Sequence, residues 1–323
     1  MGVLQPERLA SNSHSKTLIR LGFPHQWPGF NLEMFCKQFP ILSTKYDLVV
    51  SDHPDVVFYS VFTPDCPAGS DSRLWPVNRN MPVLPVSDCV RVFLTGENIE
   101  PEMDQCDFAI SFSRIIDHPN HLFLPLWVYG IHSSGFTPKS LIKSEDSDWE
   151  QIAAAKVRFC NFIYSRQLAF RNLIFQSLNN YKRVDAGGAC QNNMRGWKVP
   201  GGDLGKLAFL KLFRFTLAVE NGAWPGYATE KLVQPMLVNS IPIYMGDPLI
   251  SHSFDPDSFI DYTRFSSIRE MLDFVIQVDQ DRSLYLKMLA APFFRNNEVP
   301  AYARDEVVLT FFDKIFAEVL RRR

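Results

Sequence analysis

The chain has 323 residues, of which 46% are hydrophobic and 21% charged, enough for two ordinary cores. Its net charge of −2 hides an asymmetry: residues 1–150 sum to −7 and the remainder to +5. An acidic front half disfavours a nucleic-acid surface there, and a mildly basic back half suits a phosphorylated small molecule or, equally, a plain solvated surface. In chain order, Leu32 to Phe39 predicts an early helix, and residues 46–61 (YDLVVSDHPDVVFYSV) read as strand, loop, strand. Residues 90–95 and 108–112 add two short strands, and the apolar run His121 to Ile131 reads as one more buried strand. A polar stretch, KSLIKSEDSDWE over 139–150, marks a domain boundary near its end. Beyond it come a strand over Lys156 to Tyr164, a helix over Gln167 to Leu178 and a turn-rich segment over 181–196. Strands at Phe213 to Val219 and Ile241 to Met245 flank a helix capped by Thr229. Ser267 caps another over 268–278, and the tail from about 305 to 323 is amphipathic. Short continuous apolar strands alternating with helices predict α/β architecture with parallel sheets covered on both faces. The domains are expected at 1–150 and 151–304, with the tail helix over 305–323.

The first thirty residues carry Glu7, Arg8, His14, Lys16 and Arg20 and lack the apolar core of a signal peptide. The cysteines Cys36, Cys66, Cys89, Cys106, Cys160 and Cys190 include no pair at zinc-knuckle or redox spacing. The seven histidines are scattered, and the Asp-x-Asp string Asp255-Pro256-Asp257 reads as a loop. No metal site is expected.

Residues 213–246 (FRFTLAVENGAWPGYATEKLVQPMLVNSIPIYMG) carry the chemistry. A strand ends at Glu220 and Asn221, a Gly- and Pro-containing loop follows, and a helix opens with Thr229, Glu230 and Lys231. In an open α/β sheet ligands sit at the carboxyl ends of strands. A helix N-terminus there offers unpaired N–H groups to a diphosphate. Lys231 adds a positive charge, and Glu230 can accept bonds from sugar or ribose hydroxyls.

This segment resembles the α-1,3/4-fucosyltransferase family of bacterial type, whose motif runs Phe-Glu-Asn, a loop, Tyr-x-Thr-Glu-Lys, then Pro-Ile-Tyr-x-Gly. VEN, Tyr227, ATEK and PIYMG keep that order and spacing, with Val219 in place of the usual phenylalanine. LTGEN at 94–98, CDFAISF at 106–112, LPLW at 124–127 and RFCNFIYS at 158–165 are similar to other family segments. Arg166 departs from the usual asparagine, and the gap from Ser165 to Arg171 is one residue short. The resemblance implies a GT-B fold, two Rossmann-like domains facing a central cleft. It also implies an inverting enzyme that moves fucose from GDP-fucose to the 3-hydroxyl of N-acetylglucosamine in N-acetyllactosamine-type glycans. No metal is strictly required, and Mn²⁺ stimulates at most.

By the same resemblance Glu97 is the general base, with an ordinary turn acid as the plain alternative. Arg171 and Lys231 neutralise the GDP phosphates, Asn221 holds the donor, Tyr227 stacks or hydrogen-bonds near it, and Glu230 grips hydroxyls. Asp185 and Asn193 assist in the polar loop. His25, Trp27 and Trp127 are candidates for the acceptor. Like the basic amphipathic tails of some relatives, the tail helix is a candidate for peripheral contact with the inner face of the membrane in a cytoplasmic enzyme; packing on the protein body is the alternative. A different sugar nucleotide on the same fold, or a non-catalytic glycan-binding protein, are the competing readings.

Overall fold

The structure, a computed structural model, describes residues 16–62, 81–84, 88–165 and 167–323. His14, Cys66 and Arg166 lie outside the described residues. The front half forms β1 (Thr17–Gly22), α1 (Leu32–Gln38), β2 (Tyr46–Val50), β3 (Val56–Tyr59), β4 (Val90–Leu94), β5 (Phe108–Ser111), β6 (His121–Phe123) and α2 (Leu126–Ser133). The back half continues with α3 (Trp149–Ala154), β7 (Arg158–Phe162), α4 (Ala169–Tyr181), β8 (Val184–Ala186), α5 (Asp203–Leu210) and β9 (Phe213–Val219). Then come α6 (Glu230–Leu237), β10 (Ile241–Met245), β11 (Ile260–Asp261), α7 (Ile268–Gln280), α8 (Arg282–Ala290) and α9 (Asp305–Arg322).

The strands make two wholly parallel sheets, ordered β2-β1-β3-β4-β5-β6 and β11-β10-β9-β7-β8. This is the expected GT-B type, and it explains why β3 and β5 are apolar without alternation: all their residues are buried. Asn31, Thr229 and Ser267 cap α1, α6 and α7 by accepting backbone N–H bonds at the first turn.

The run His121 to Ile131 is a three-residue strand followed by a helix, which corrects the single strand predicted from its apolarity. Pro125 has no N–H for the ladder, and its fixed φ of −62° makes it the N-cap of α2.

The tail helix α9 packs on the front sheet. Val308, Phe312, Ile315, Phe316 and Val319 are buried with Phe35, Phe39 and Phe58, and Phe312 meets those three rings at centroid distances of 4.9–6.1 Å. The basic end is neutralised within the chain. Arg321 and Arg322 pair with Glu318, Arg322 also with Asp107, and Arg323 with Asp55. Most of the apolar face expected to meet a membrane, and the charges of Arg322 and Arg323, are therefore engaged in tertiary contacts, while Leu320 stays exposed. No described helix is long and apolar enough to cross a bilayer.

Candidate active site

The carboxyl end of β9 meets the N-terminus of α6, and a buried acid organises the junction. Glu220 is 1% exposed. It accepts from the Thr229 N–H at 2.8 Å and from the Thr229 hydroxyl at 2.8–2.9 Å. Thr229 in turn accepts from the Lys231 backbone N–H at 3.3 Å and from its ammonium at 3.1 Å. Lys231 also lies 3.4 Å from Glu220 and 3.3 Å from Glu230. Burial opposes the charge on Lys231, but Glu230 and Glu220 outweigh it and hold the ammonium above its ordinary pKa. Burial likewise opposes ionisation of Glu230, yet Lys231 and Lys206 hold its carboxyl down at about 2.

Lys206, on α5, is a cation that sequence reading missed. It shares a small cavity with Lys231, Tyr164 and Asn161 beneath the helix start, and its only sequence signal was a position on an undetected helix. Glu220 was read only as half of a Glu-Asn pair, with no role, because capping at nine residues' separation is invisible before folding.

Arg171 is 2% exposed rather than open on a helix face. Its guanidinium donates to the Val219 carbonyl at 2.7 and 3.1 Å and to Asn221 Oδ1 at 2.8 Å, and it lies over the Tyr164 ring at 4.3 Å. It thus sets Asn221, an exposed residue, with its amide oxygen engaged and its Nδ2 group left as the donor. In this arrangement the Arg171 charge stands behind Asn221. Tyr227 is 3% exposed and stands edge-on to Phe112 at 5.3 Å, so it forms a wall and not an open stacking platform. Burial pushes its phenol up, as do the charges of Glu220 and Glu97.

That influence sets Glu97 within electrostatic reach of the back-domain loop. Glu97 follows β4, where its N–H donates to the Thr95 hydroxyl at 3.1 Å, and the Ser60 hydroxyl donates to Thr95 at 2.8 Å. Next to it, Asn98 approaches Gly222. The loop after β9 is seated on the front domain. Gly226 has φ of +89°, and a side chain there would overlap the Phe112 carbonyl. At Gly130, on α2, a Cβ would come within 2.8 Å of the Glu230 Cβ. The Glu97–Asn98 loop and α2 of the front half thus meet the β9–α6 loop and the start of α6 along a tight seam.

Three other predicted residues are engaged within the fold. Asp185, 4% exposed, pairs with Arg158 at 2.8 Å and Arg183 at 2.7 Å. Asn193 accepts from the Ala186 N–H and donates to the Val184 carbonyl, extending the β8 edge. Both serve the sheet edge. Trp127 is fully buried against Phe254, Phe294 and Tyr302. His25 Nδ1 bonds the Phe62 carbonyl at 3.0 Å, and Trp27 packs on Phe30 at 4.5 Å, both at the carboxyl end of β1. Asp257 donates its N–H to Asp255 in a local turn, as a loop reading requires. Among the described residues no group of three or more His, Cys, Asp or Glu could hold a metal ion.

Residues 153–293 match the family described as "Glycosyltransferase family 10 (fucosyltransferase) C-term", and residues 81–129 match "Alpha-(1,3)-fucosyltransferase FucT N-terminal domain". The chain is 25% identical over 311 residues to alpha-(1,3)-fucosyltransferase FucT of Helicobacter pylori, a match covering 88% of this chain and 61% of that protein. It is 36% identical over 73 residues to alpha-(1,4)-fucosyltransferase of Arabidopsis thaliana, covering 23% and 18%. The chain therefore spans less than two thirds of the length of these relatives. A crystal structure of an α1,3-fucosyltransferase with GDP-fucose shares the fold, with a TM-score of 0.70 at 24% identity over 96% of this chain and 93% of that one. The chain thus matches glycosyltransferase family 10 (fucosyltransferase) over residues 153–293 and is similar along most of its length to the H. pylori enzyme.

Proposed function

We propose that the chain is an inverting fucosyltransferase that moves L-fucose from GDP-fucose to the 3-hydroxyl of N-acetylglucosamine in an N-acetyllactosamine-type glycan. The observation that carries this reading is the Glu220–Thr229–Lys231–Glu230 network at the start of α6, facing the loop of Glu97 across the seam. The helix N-terminus and Lys231 meet the diphosphate, with Asn221 donating beside it. Glu230, kept ionised, accepts from donor hydroxyls.

In the reaction Glu97 takes the proton of the acceptor hydroxyl as its oxygen bonds to the fucose anomeric carbon. The bond from that carbon to the β-phosphate oxygen breaks on the opposite face, converting a β-linked donor to an α-linked product. GDP leaves with its added charge beside Lys231, where pre-set cations need no reorganisation. The donor assignment draws support from the family match and the relatives' names.

Isothermal titration with GDP, UDP and CDP, followed by GDP release from GDP-fucose with and without N-acetyllactosamine, tests the reading. GDP is expected to bind tightest and its release to depend on acceptor. Equal or tighter binding of UDP overturns the donor assignment.

A further inference from the structure

Trp224 stands on the loop between Asn221 and Tyr227, and its side chain is left largely open, the residue being 48% exposed. An exposed indole carries an unfavourable contact with water, so its surroundings are informative. The Trp224 carbonyl accepts from the Tyr227 N–H at 3.0 Å, closing a turn, and Pro225 restricts the backbone that follows. The ring is therefore presented on a stiff support. A Cβ built at Gly222 would lie 3.1 Å from the indole Nε1 and 3.8 Å from Asn98 Nδ2, so the indole edge, Gly222 and the Glu97–Asn98 loop converge at one point of the seam. The groups assigned to the donor, Asn221, Glu230 and Lys231, belong to the β9 end and the α6 start. A hydroxyl that is to lose its proton to Glu97 must enter beside Asn98, and there Trp224 is the open apolar surface.

We propose that Trp224 is the acceptor platform of this enzyme: its ring stacks on the apolar C–H face of an uncharged pyranoside and sets the reacting hydroxyl toward Glu97. The proposal deepens the fucosyltransferase reading and rests on it. Because the ring sits on a loop fixed to the donor side, it helps to place both substrates on one element, and only pyranosides with an unhindered apolar face are accepted.

The experiment is initial-rate kinetics at saturating GDP-fucose with N-acetyllactosamine varied, alongside GDP titration, for wild type, Trp224→Leu and Trp224→Phe. Trp224→Leu keeps apolar bulk and removes the π face. It is expected to raise the acceptor KM about tenfold, the worth of one well-packed aromatic contact, with GDP affinity unchanged. Trp224→Phe is expected to recover most of that loss. An unchanged acceptor KM in Trp224→Leu overturns the proposal, as does a parallel loss of GDP affinity, which would make Trp224 a scaffold of the donor loop. Wild-type protein that binds no GDP and releases none from GDP-fucose overturns the underlying reading, and the platform with it. Should Trp224→Leu fail to fold, the acceptor-induced change in indole emission of GDP-bound wild type, compared with Trp224→Phe, decides the matter. An equal change in both proteins overturns the proposal.

Discussion

At Glu97 the backbone N–H is tied to Thr95, and Thr95 to Ser60, so the side chain projects from a turn whose backbone is already satisfied. Glu230 is instead held by charge, with Lys231 at 3.3 Å and Lys206 nearby. The two acids should respond differently to the same chemical change. Glu97→Gln is expected to leave GDP and GDP-fucose binding intact and to lower kcat by about 10²–10⁴-fold, the usual worth of a general base. Glu230→Gln is expected to weaken donor binding, measured as a raised GDP-fucose KM. Their pH dependence separates them as well. With a folded pKa of about 2, Glu230 stays ionised through any workable pH. An acid limb in kcat at about pH 4–6 therefore belongs to another group. Glu97→Gln is expected to flatten it and Glu230→Gln to leave it in place. A near-normal kcat in Glu97→Gln, or a limb that vanishes only in Glu230→Gln, would reverse the two roles.

Among the elements, α9 shows how a sequence signal for one surface can serve another. Its apolar stripe is real, but the stripe is complementary to the front core, where each fully buried Phe, Ile or Val contributes about 1.5–3 kcal/mol. The last arginine is a lock: Arg323 and Arg20 both pair with Asp55, at 2.5 and 2.6 Å, at the start of β3. Burial would raise the Asp55 pKa, but hydrogen bonds from Arg20 and Arg323 outweigh it and hold the carboxyl well below its ordinary value. A depressed folded pKa contributes stability above the unfolded value, near 4, and that contribution is lost as pH falls through the folded value. Asp55→Asn is therefore expected to cost about 1–3 kcal/mol at pH 7, the range for hydrogen bonds to a charged group. The gap from wild type should narrow toward pH 3. Urea midpoints at the two pH values provide the check, and an equal gap at both would place the stabilising effect elsewhere.

For the whole molecule the decisive feature is that the loop after β9 and the start of α6 rest on the front half. The Trp127 N–H donates to the Ala228 carbonyl at 2.8 Å, Gly226 sits against Phe112, and Gly130 against Glu230. On the proposed reading, Lys231, the α6 N-terminus and, behind Asn221, Arg171 would supply positive charge to the diphosphate from protein groups alone. Turnover is accordingly expected to persist after extensive treatment with EDTA, with added Mn²⁺ stimulating modestly through charge screening. Activity abolished by EDTA and restored by Mn²⁺ would show that these groups are insufficient.

What the sequence determined by itself was local. The β9–α6–β10 unit was legible because Glu220, Asn221, Thr229, Glu230 and Lys231 lie within twelve consecutive positions, and the Thr229 and Ser267 caps were legible because a cap reads only three residues ahead. The apolar strands were legible because a parallel sheet buries both faces. Tertiary structure alone decided what lay far apart in the chain. Arg171 was named for the diphosphate by resemblance, but that it is buried against the β9 end, forty-eight positions on, emerged only on folding. The pairing of Asp185 with Arg158 and Arg183 emerged only on folding, and Trp127 looked like a candidate for the acceptor until residues 254–302 covered it. A side chain's type and spacing state what bonds it can make. Which of them it makes depends on partners brought by packing, because burial removes water as the competing partner and leaves each polar group to whatever the fold sets beside it.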